Sequence, residues 1–518
     1  MEKGTILWAD DEIEFLEPHV IYLREKGYEV LTVTNGDDVI ELIQKGNIDL
    51  VLLDESMPGK GGLETFITIK ETQPHLPVVM VTKNEEEHLM KDALGQQIDD
   101  YLTKPINPSQ ILLACKKILE KDQISENKLA KNFSIHLSEI SQEIMEASTS
   151  TEWSKLYQKL ISLALESDKH PDKGFDQPML ELFSEANKDF GRFIRNNYGQ
   201  WVHMERKNRP QLSIDVISEN VVPLLKRGEK TVFVVIDGLR LDQWLLFEQK
   251  LTSFFRIERD LCYSILPTAT PYARNAIFSG LFPDDLMKVY PDVFERSADE
   301  NSANRYEKEA LTNLLVRNGV RFNTDIFYTK IFNEKDAGEL EKRIQQIIDA
   351  PLSAIVFNFV DILAHSRSDL QILKEIAPNE SAFRSLTLSW FEHSKMFSFF
   401  KLLAEKDISV IVTSDHGSIR GMHPLKIVTD KESTHSLRYK FGRNLKTNEK
   451  YAIRLKDPAE YRLPRFTLNT ECVITLQDYF FVYQQNYNKF VNIYRDCFQH
   501  GGVSLEEVIV PIVKLSKK

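Results

Sequence analysis

The 518-residue sequence predicts an α/β chain in three parts: an N-terminal domain with a doubly wound parallel sheet, a helical-bundle linker, and a larger C-terminal α/β domain. Three observations carry this prediction. Short apolar runs alternate with amphipathic segments over residues 1–121. Strand signals fade over 122–206, where apolar residues recur every three to four positions. From 207 to 518 continuous apolar runs return, several of them followed by Asp or His. The length fits two to four domains, and 42% hydrophobic with 27% charged residues describes a soluble globular composition with ample core material.

In the first part GTILWA reads as a strand and EFLEPHVIYLREKG as an amphipathic helix. YEVLTVT, DLVLLD, PVVMVT and DDYLTKP complete five strands. In parallel sheets of this kind chemistry collects at the strand C-termini. Asp10 and Asp11 stand after the first strand, Asp54 after the third, Thr82 after the fourth and Lys104 after the fifth. Asp10 and Asp11 alone read best as a solvated acidic loop. Three carboxylates at one edge make a hard-oxygen site suited to Mg²⁺, and a hydroxyl and an ammonium nearby suit a phosphoryl group.

The combination DDE…LLDESMPG…VT…LTKP resembles the receiver domain of two-component response regulators over its whole length. The resemblance implies that Asp54 is the phosphoacceptor. It implies Mg²⁺ on Asp11, Asp54 and the Ser56 carbonyl, with Asp10 acting through water. It further implies Thr82 and Lys104 on the phosphoryl oxygens, a cis Lys104–Pro105 bond, and Tyr101 as the aromatic switch. Such receivers re-form the face of the fourth helix and fifth strand, and this implies a homodimer on phosphorylation.

The linker, residues 122–206, carries three helical patterns: FSIHLSEISQEIMEA, EWSKLYQKLISLALE and PMLELFSEANKDFGRFIRNNYG. Its His136, His170 and His203 have no partners at ligand spacing. No helix-turn-helix with a basic recognition helix is visible. The net charge of −12 sits almost wholly in residues 1–121, with 23 acidic against 12 basic side chains; the remainder has 54 against 53. No basic face is present, and duplex DNA binding is not expected. The N-terminus has no signal-peptide pattern, no run approaches the ~20 apolar residues of a membrane span, and four scattered cysteines form no CxxC pair. The reading is cytoplasmic.

In the C-terminal domain, residues 207–518, KTVFVVIDGLRLDQW ends a strand in Asp237 and Gly238, and AIVFNFVDILAHS reads as a strand ending near Asp361 with His365 four residues on. ISVIVTSDHG places Asp415 and His416 at a strand exit, and His500 lies in FQHGG. Singly these are a turn, a shared helix face and a structural histidine. Together, three carboxylates, three imidazoles and a hydroxyl suffice for two metals with room for substrate. Mixed Asp/His sets favour Zn²⁺, and two ions would clamp the attacking and leaving oxygens of a phosphoryl transfer.

The order DG…T…DxxxH…DHG…HGG resembles the alkaline phosphatase superfamily, in its PglZ branch. The resemblance implies one zinc on Asp361, His365 and His500 and another on Asp237, Asp415 and His416 with Thr270. PTATP resembles the P-T-x-T segment of nucleotide pyrophosphatase/phosphodiesterase members, which makes Thr270 the nucleophile, with Thr268 as the rival. PYARNAIFSG reads as a helix start, so the Thr270 hydroxyl would meet an N-terminal dipole that favours an anion. Pro271-Tyr272-Ala273 departs from the Phe-Pro-Asn of secreted phosphodiesterases. Arg274 is either a phosphate ligand or a surface ion pair. The stretch THSLRYKFGRN, with His435, Arg438 and Lys440, suits either a phosphate chain with stackable bases or a polar loop with a strand.

The whole chain resembles the PorX response regulators of type IX secretion. The resemblance implies a zinc phosphodiesterase acting on cyclic or linear oligonucleotides, a sensor histidine kinase partner, and contact with a secretion-motor membrane protein and a sigma factor. The alternative is a signalling scaffold whose zinc domain mainly binds partners.

Overall fold

The computed structural model describes residues 3–83, 98–294, 304–429, 434 and 436–518. The chain divides into two compact units, Met1–Ile135 and His136–Lys518.

The first unit is a five-stranded parallel sheet: β1 (Thr5–Ala9), β2 (Glu29–Val33), β3 (Leu50–Asp54), β4 (Val78–Thr82) and β5 (Asp100–Thr103), in the order β2-β1-β3-β4-β5. Successive residues of a strand point to opposite faces, so the all-apolar strands supply two cores. Ile6, Trp8, Leu50 and Leu52 pack with Val20, Leu23 and Ile111. Leu7, Ala9, Val51 and Leu53 pack on the other side with Val39, Ile43, Phe66 and Ile69. Asn35 and Asn107 cap the helices Gly36–Lys45 and Pro108–Leu119 by accepting from Asp38 N and Ser109 N. Helix Gly62–Thr72 starts hard against β3: a Cβ at Gly62 would stand 2.1 Å from the Asp54 carbonyl oxygen. The fourth-helix segment of the expected switch face, residues 84–97, lies outside the described residues.

The second unit contains a six-stranded sheet. Its strands are β6 (Thr231–Ile236), β7 (Phe255–Tyr263), β8 (Phe327–Ile331), β9 (Leu352–Phe357), β10 (Ser409–Thr413) and the C-terminal strand Ile509–Lys517. The order is β7, C-terminal strand, β10, β6, β9, β8. β10, β6, β9 and β8 are parallel; β7 and the C-terminal strand add an antiparallel edge. β7 leaves Arg256–Asp260 partly or fully exposed, as an edge strand can. Val232, Val234 and Ile236 serve one core, Phe233 and Val235 the other. β8 falls within the segment 280–349 that interrupts the sequence pattern.

The three linker patterns are helices at Lys121–Glu146, Ser150–Asp168 and Asp176–Trp201. The last two pack on each other, with Trp153 against Phe190 (5.3 Å between ring centroids), and on the sheet domain, with Trp201 against Tyr263 (5.4 Å). Asp168, at the end of its helix, pairs with Arg384 (2.7 Å), which also reaches Asp242; Asp242 in turn pairs with Arg240.

Burial alone would raise the Asp242 carboxyl, but Arg240 and then Arg384 outweigh it and hold its pKa at about 2. A value depressed in the folded state contributes stability that is present above the unfolded carboxylate range near ~4 and is lost as pH falls toward the folded value. Acid titration of the unfolding free energy should therefore show a loss of roughly 2 kcal/mol between about pH 4 and 2. That slope should flatten in Asp242→Asn.

Candidate functional site

In the first unit, the order of strands sets β1 beside β3, and their ends bring Asp10, Asp11 and Asp54 together with carboxylate oxygens within 4.8 Å of one another. Lys104 Nζ lies 2.8 Å from Asp10 and 3.0 Å from Asp54. Burial, with Asp10 adding to it, raises the Asp54 pKa against the pull of Lys104. For Lys104, burial is outweighed by hydrogen bonds to Asp10 and Asp54, which raise its pKa. Buried Thr82 ends β4, and its carbonyl accepts from Lys104 N (2.8 Å). The Lys104–Pro105 bond is cis. Tyr101 is half-buried on β5, and exposed Ser56 lies in the loop that follows Asp54. Asp54 Oδ2 is buried without a hydrogen bond. An oxygen left so, beside two more carboxylates, fits a divalent cation.

In the second unit two groups of three converge beyond the ends of β6, β9 and β10: Asp361, His365, His500 and Asp237, Asp415, His416. Gly238, at φ +72°, turns the chain directly after Asp237, and a Cβ there would meet Asp361 Cβ at 3.0 Å. The Asp361 amide donates to the Asp237 carbonyl (3.2 Å). Asp361 and His365 sit one turn apart on helix Phe359–Asp369, not at a strand end as the sequence suggests; β9 stops at Phe357. His365 Nε2 is 3.3 Å from Asp361, and His500 Nε2 is 3.8 Å from it. The His416 and His500 rings stack at 4.2 Å, so the groups share a wall.

His416 Nδ1–H donates to the Gly417 carbonyl (3.1 Å), which leaves the Nε2 lone pair facing Thr270, Asp237 and Asp415. Burial, then His500, drives its pKa well below the ordinary value, so the ring is neutral. Burial and the adjacent Asp237 carboxylate push Asp415 well up. Asp361 is held low: burial opposes its ionisation, but His365 and His500 prevail. Asp361 Oδ1, Asp415 Oδ2 and His500 Nδ1 are buried without hydrogen bonds. Orphaned ligand atoms, neighbouring buried carboxylates and a neutral imidazole are what bound cations would complete.

Thr270 is the first residue of helix Thr270–Ser279, with its hydroxyl 3.0 Å from His416 Nε2 and 3.4 Å from Asp237 Oδ1. Thr268 is spoken for: its hydroxyl donates to the Gly502 carbonyl (2.7 Å) and accepts from Gly501 N (3.1 Å).

Arg274 is neither at the surface nor presented to a ligand. It is 2% exposed, and its guanidinium binds Asp237, Glu307 (2.7 Å) and Asn358 (2.9 Å). Burial works against its charge, but Glu307 and then Asp237 raise its pKa further. Glu307 comes from the interrupting segment and had no sequence signal, being one acid among many at a helix start. Arg438 and Lys440 are likewise turned inward. Arg438 is fully buried on Glu507 (3.1 Å from Nε to Oε1) and on the Tyr479 and Gln477 carbonyls. Lys440 donates to the Thr434 carbonyl (2.6 Å) and to Tyr483 (3.0 Å), and burial lowers its pKa. Both are therefore corrected from candidate substrate contacts to packing residues: a long cation in a buried strand must find internal acceptors. His435 lies outside the described residues.

Comparison with known proteins finds three family matches. Residues 216–515 match the BREX system PglZ alkaline phosphatase-like domain, 6–116 the response regulator receiver domain, and 123–202 the PorX response regulator linker domain. Among curated proteins, ResD of Bacillus subtilis, a transcriptional regulatory protein, is 32% identical over 187 residues, covering 34% of this chain and 76% of ResD. PhoB of Pseudomonas aeruginosa, a phosphate regulon transcriptional regulatory protein, is 34% identical over 123 residues; the match covers 23% of this chain and about half, 54%, of PhoB. Among solved structures, response regulator TrrA of Thermotoga maritima in complex with Mg²⁺–BeF is 30% identical, with a TM-score of 0.21, covering 23% of this chain and 99% of TrrA.

Removing one partner of a buried ion pair leaves the other charged and unsolvated. Arg438→Met should therefore cost about 3–5 kcal/mol in urea denaturation. A substrate-contact role would instead raise KM and leave stability unchanged.

Proposed function

The chain belongs to the PglZ alkaline phosphatase-like family, in the receiver–linker–PglZ architecture of PorX-type response regulators, and on that premise we propose that its output is a zinc-dependent phosphodiesterase acting on cyclic or linear oligonucleotides. The observation that carries the reading is the Thr270 hydroxyl, at a helix N-terminus, held against His416 and Asp237 beside a second Asp/His group. Asp361, His365 and His500 would hold one zinc; Asp237, Asp415 and His416, with Thr270, would hold the other. Zinc there supplies a lowered hydroxyl pKa and a counter-charge for the leaving oxygen.

The chain's own groups do the rest. Thr270 Oγ1, held between Asp237 and His416, gives its proton to solvent and attacks phosphorus. The P–O bond to the departing nucleoside oxygen breaks and that oxygen takes a proton from solvent; a water then gives up a proton and attacks phosphorus, the P–O bond to Thr270 breaks, the hydroxyl is re-protonated and the nucleotide monoester leaves. Backbone N–H groups at the start of helix Thr270–Ser279 favour the anionic phosphate. Arg274 fixes the Asp237 carboxylate rather than the substrate. Arg274 and Lys330 are both committed to Glu307, Lys330 at 3.1 Å, which suits a singly charged diester better than a dianionic monoester.

Asp10, Asp11 and Asp54 are an all-oxygen set suited to Mg²⁺. In the proposed cycle a sensor histidine kinase phosphorylates Asp54, Thr82 and Lys104 bind the phosphoryl group, Tyr101 moves inward, and the chain dimerises. Cytoplasmic placement accords with the absence, among the described residues, of any helix long and apolar enough to cross a membrane. A role in type IX secretion, with a motor membrane protein and a sigma factor as partners, rests on the resemblance to PorX regulators alone.

Thr270→Val keeps the shape of the side chain and removes the hydroxyl. Hydrolysis of bis(p-nitrophenyl) phosphate should fall roughly a thousandfold or more with zinc content preserved. Loss in Thr268→Val instead would move the nucleophile, and full activity in both would make it water. Light scattering tests the regulation: beryllofluoride with Mg²⁺ should double the mass of the wild type and leave Asp54→Ala a monomer. An unchanged wild-type mass, or an equal shift in Asp54→Ala, refutes phosphorylation-driven dimerisation.

A further inference from the structure

We propose that helix Asp176–Trp201 is a positioning element of the metal site: Asn187 and Tyr198 hold the two loops that carry His500 and Thr270, and the first of these braces the loop of His416. The inference rests on the reading of those residues as metal ligands and nucleophile. Asn187 and Tyr198 are eleven residues apart, three turns of helix, and so share one face. Both are buried in the sheet domain, at 4% and 1% exposure.

Asn187 grips the segment after His500. Its Oδ1 accepts from Leu505 N (2.7 Å), and its Nδ2 donates to the Glu506 carboxylate (3.0 Å). That segment sets both histidines. Gly417 N, next to His416, donates to the Glu507 carbonyl (3.2 Å), and a Cβ at Gly417 would be 1.9 Å from the Glu506 carbonyl oxygen. Gly502 N, two residues past His500, donates to Glu507 Oε1 (2.8 Å). A shift of residues 505–507 is thus delivered to ligands of both groups. Tyr198 grips the other loop: its hydroxyl accepts from Leu266 N (2.8 Å), four residues before Thr270. Thr268 bonds across to Gly501 and Gly502 and joins the two loops into one frame. Neither side chain touches a proposed ligand. Both act through the backbone, as outer-shell partners do when they orient the groups that bind a metal.

The test is made on the full-length chain. Chelator competition for Zn²⁺ should show about tenfold weaker binding in Asn187→Ala. Asn187→Asp keeps the acceptor for Leu505 N but sets a second carboxylate against Glu506, so it should weaken zinc binding as well; it decides the question if Asn187→Ala does not fold. Tyr198→Phe keeps the ring and should retain zinc while kcat for bis(p-nitrophenyl) phosphate drops about tenfold at unchanged KM. Gly191→Ala is the control: it lies on the same helix, and its Cβ would meet Leu476 at an ordinary 3.6 Å. It should leave zinc affinity and turnover as they are. Wild-type zinc affinity in folded Asn187→Ala or Asn187→Asp overturns the proposal, as does an equal loss in Gly191→Ala. A wild type that binds zinc without turnover would refute the phosphodiesterase reading, and the zinc comparison would still decide the role of Asn187.

Discussion

Three carboxylates, Asp237, Asp361 and Asp415, brought from separate elements, are buried beyond the ends of β6, β9 and β10. Unpaired buried charge is costly, and the surrounding structure is arranged around that cost. Arg274 meets part of it from one side by binding Asp237, and Glu307 then balances the guanidinium. His365, His416 and His500 meet it from the other. What remains is a set of buried atoms without hydrogen bonds, Asp361 Oδ1, Asp415 Oδ2 and His500 Nδ1, which suits this edge to cations.

Other features follow from keeping that edge in place. Gly238 and Gly417 are small because backbone or Asp361 stands where a side chain would go. Thr268, which in sequence looks like a second nucleophile, acts as a strut between the loops of Thr270 and His500. Glu507 receives Arg438, Gly502 and Ser504, and its carbonyl receives Gly417. The Asp and His side chains of this edge are thus braced through the backbone by buried polar contacts, part of them supplied by the helix Asp176–Trp201.

The first unit solves a smaller version of the same problem. Asp10 and Asp54 are buried with Lys104 between them, so one ammonium offsets two carboxylates and a third, Asp11, stays at the surface. The resulting surplus of negative charge suits the site to a divalent ion. One chain therefore presents an all-oxygen site and a mixed oxygen–nitrogen site, each with ligands suited to a different metal.

Much of this was legible in the residues. Parallel strands deliver their C-terminal residues to one edge, so Asp10, Asp54, Thr82 and Lys104 could be placed together from periodicity alone. The order of Asp237, Thr270, Asp415 and His416 could be read because each sits at a strand exit or a helix start. Asp361 was found but put on the wrong element, since an apolar run gives no mark where strand becomes helix. The amphipathic faces of the linker helices showed that something covers them, but not that the cover is Tyr263 and its neighbours. Arg274, Arg438 and Lys440 could each be read as a phosphate contact or as an ordinary polar residue, because composition carries no record of depth. Their acceptors, Glu307, Glu507 and the Thr434 carbonyl, come from other elements or a neighbouring loop, brought close only by packing. Local periodicity encodes which residues leave a strand at which end; the pairing of buried charges depends on contacts between distant segments, and these exist only once the sheets have closed over them.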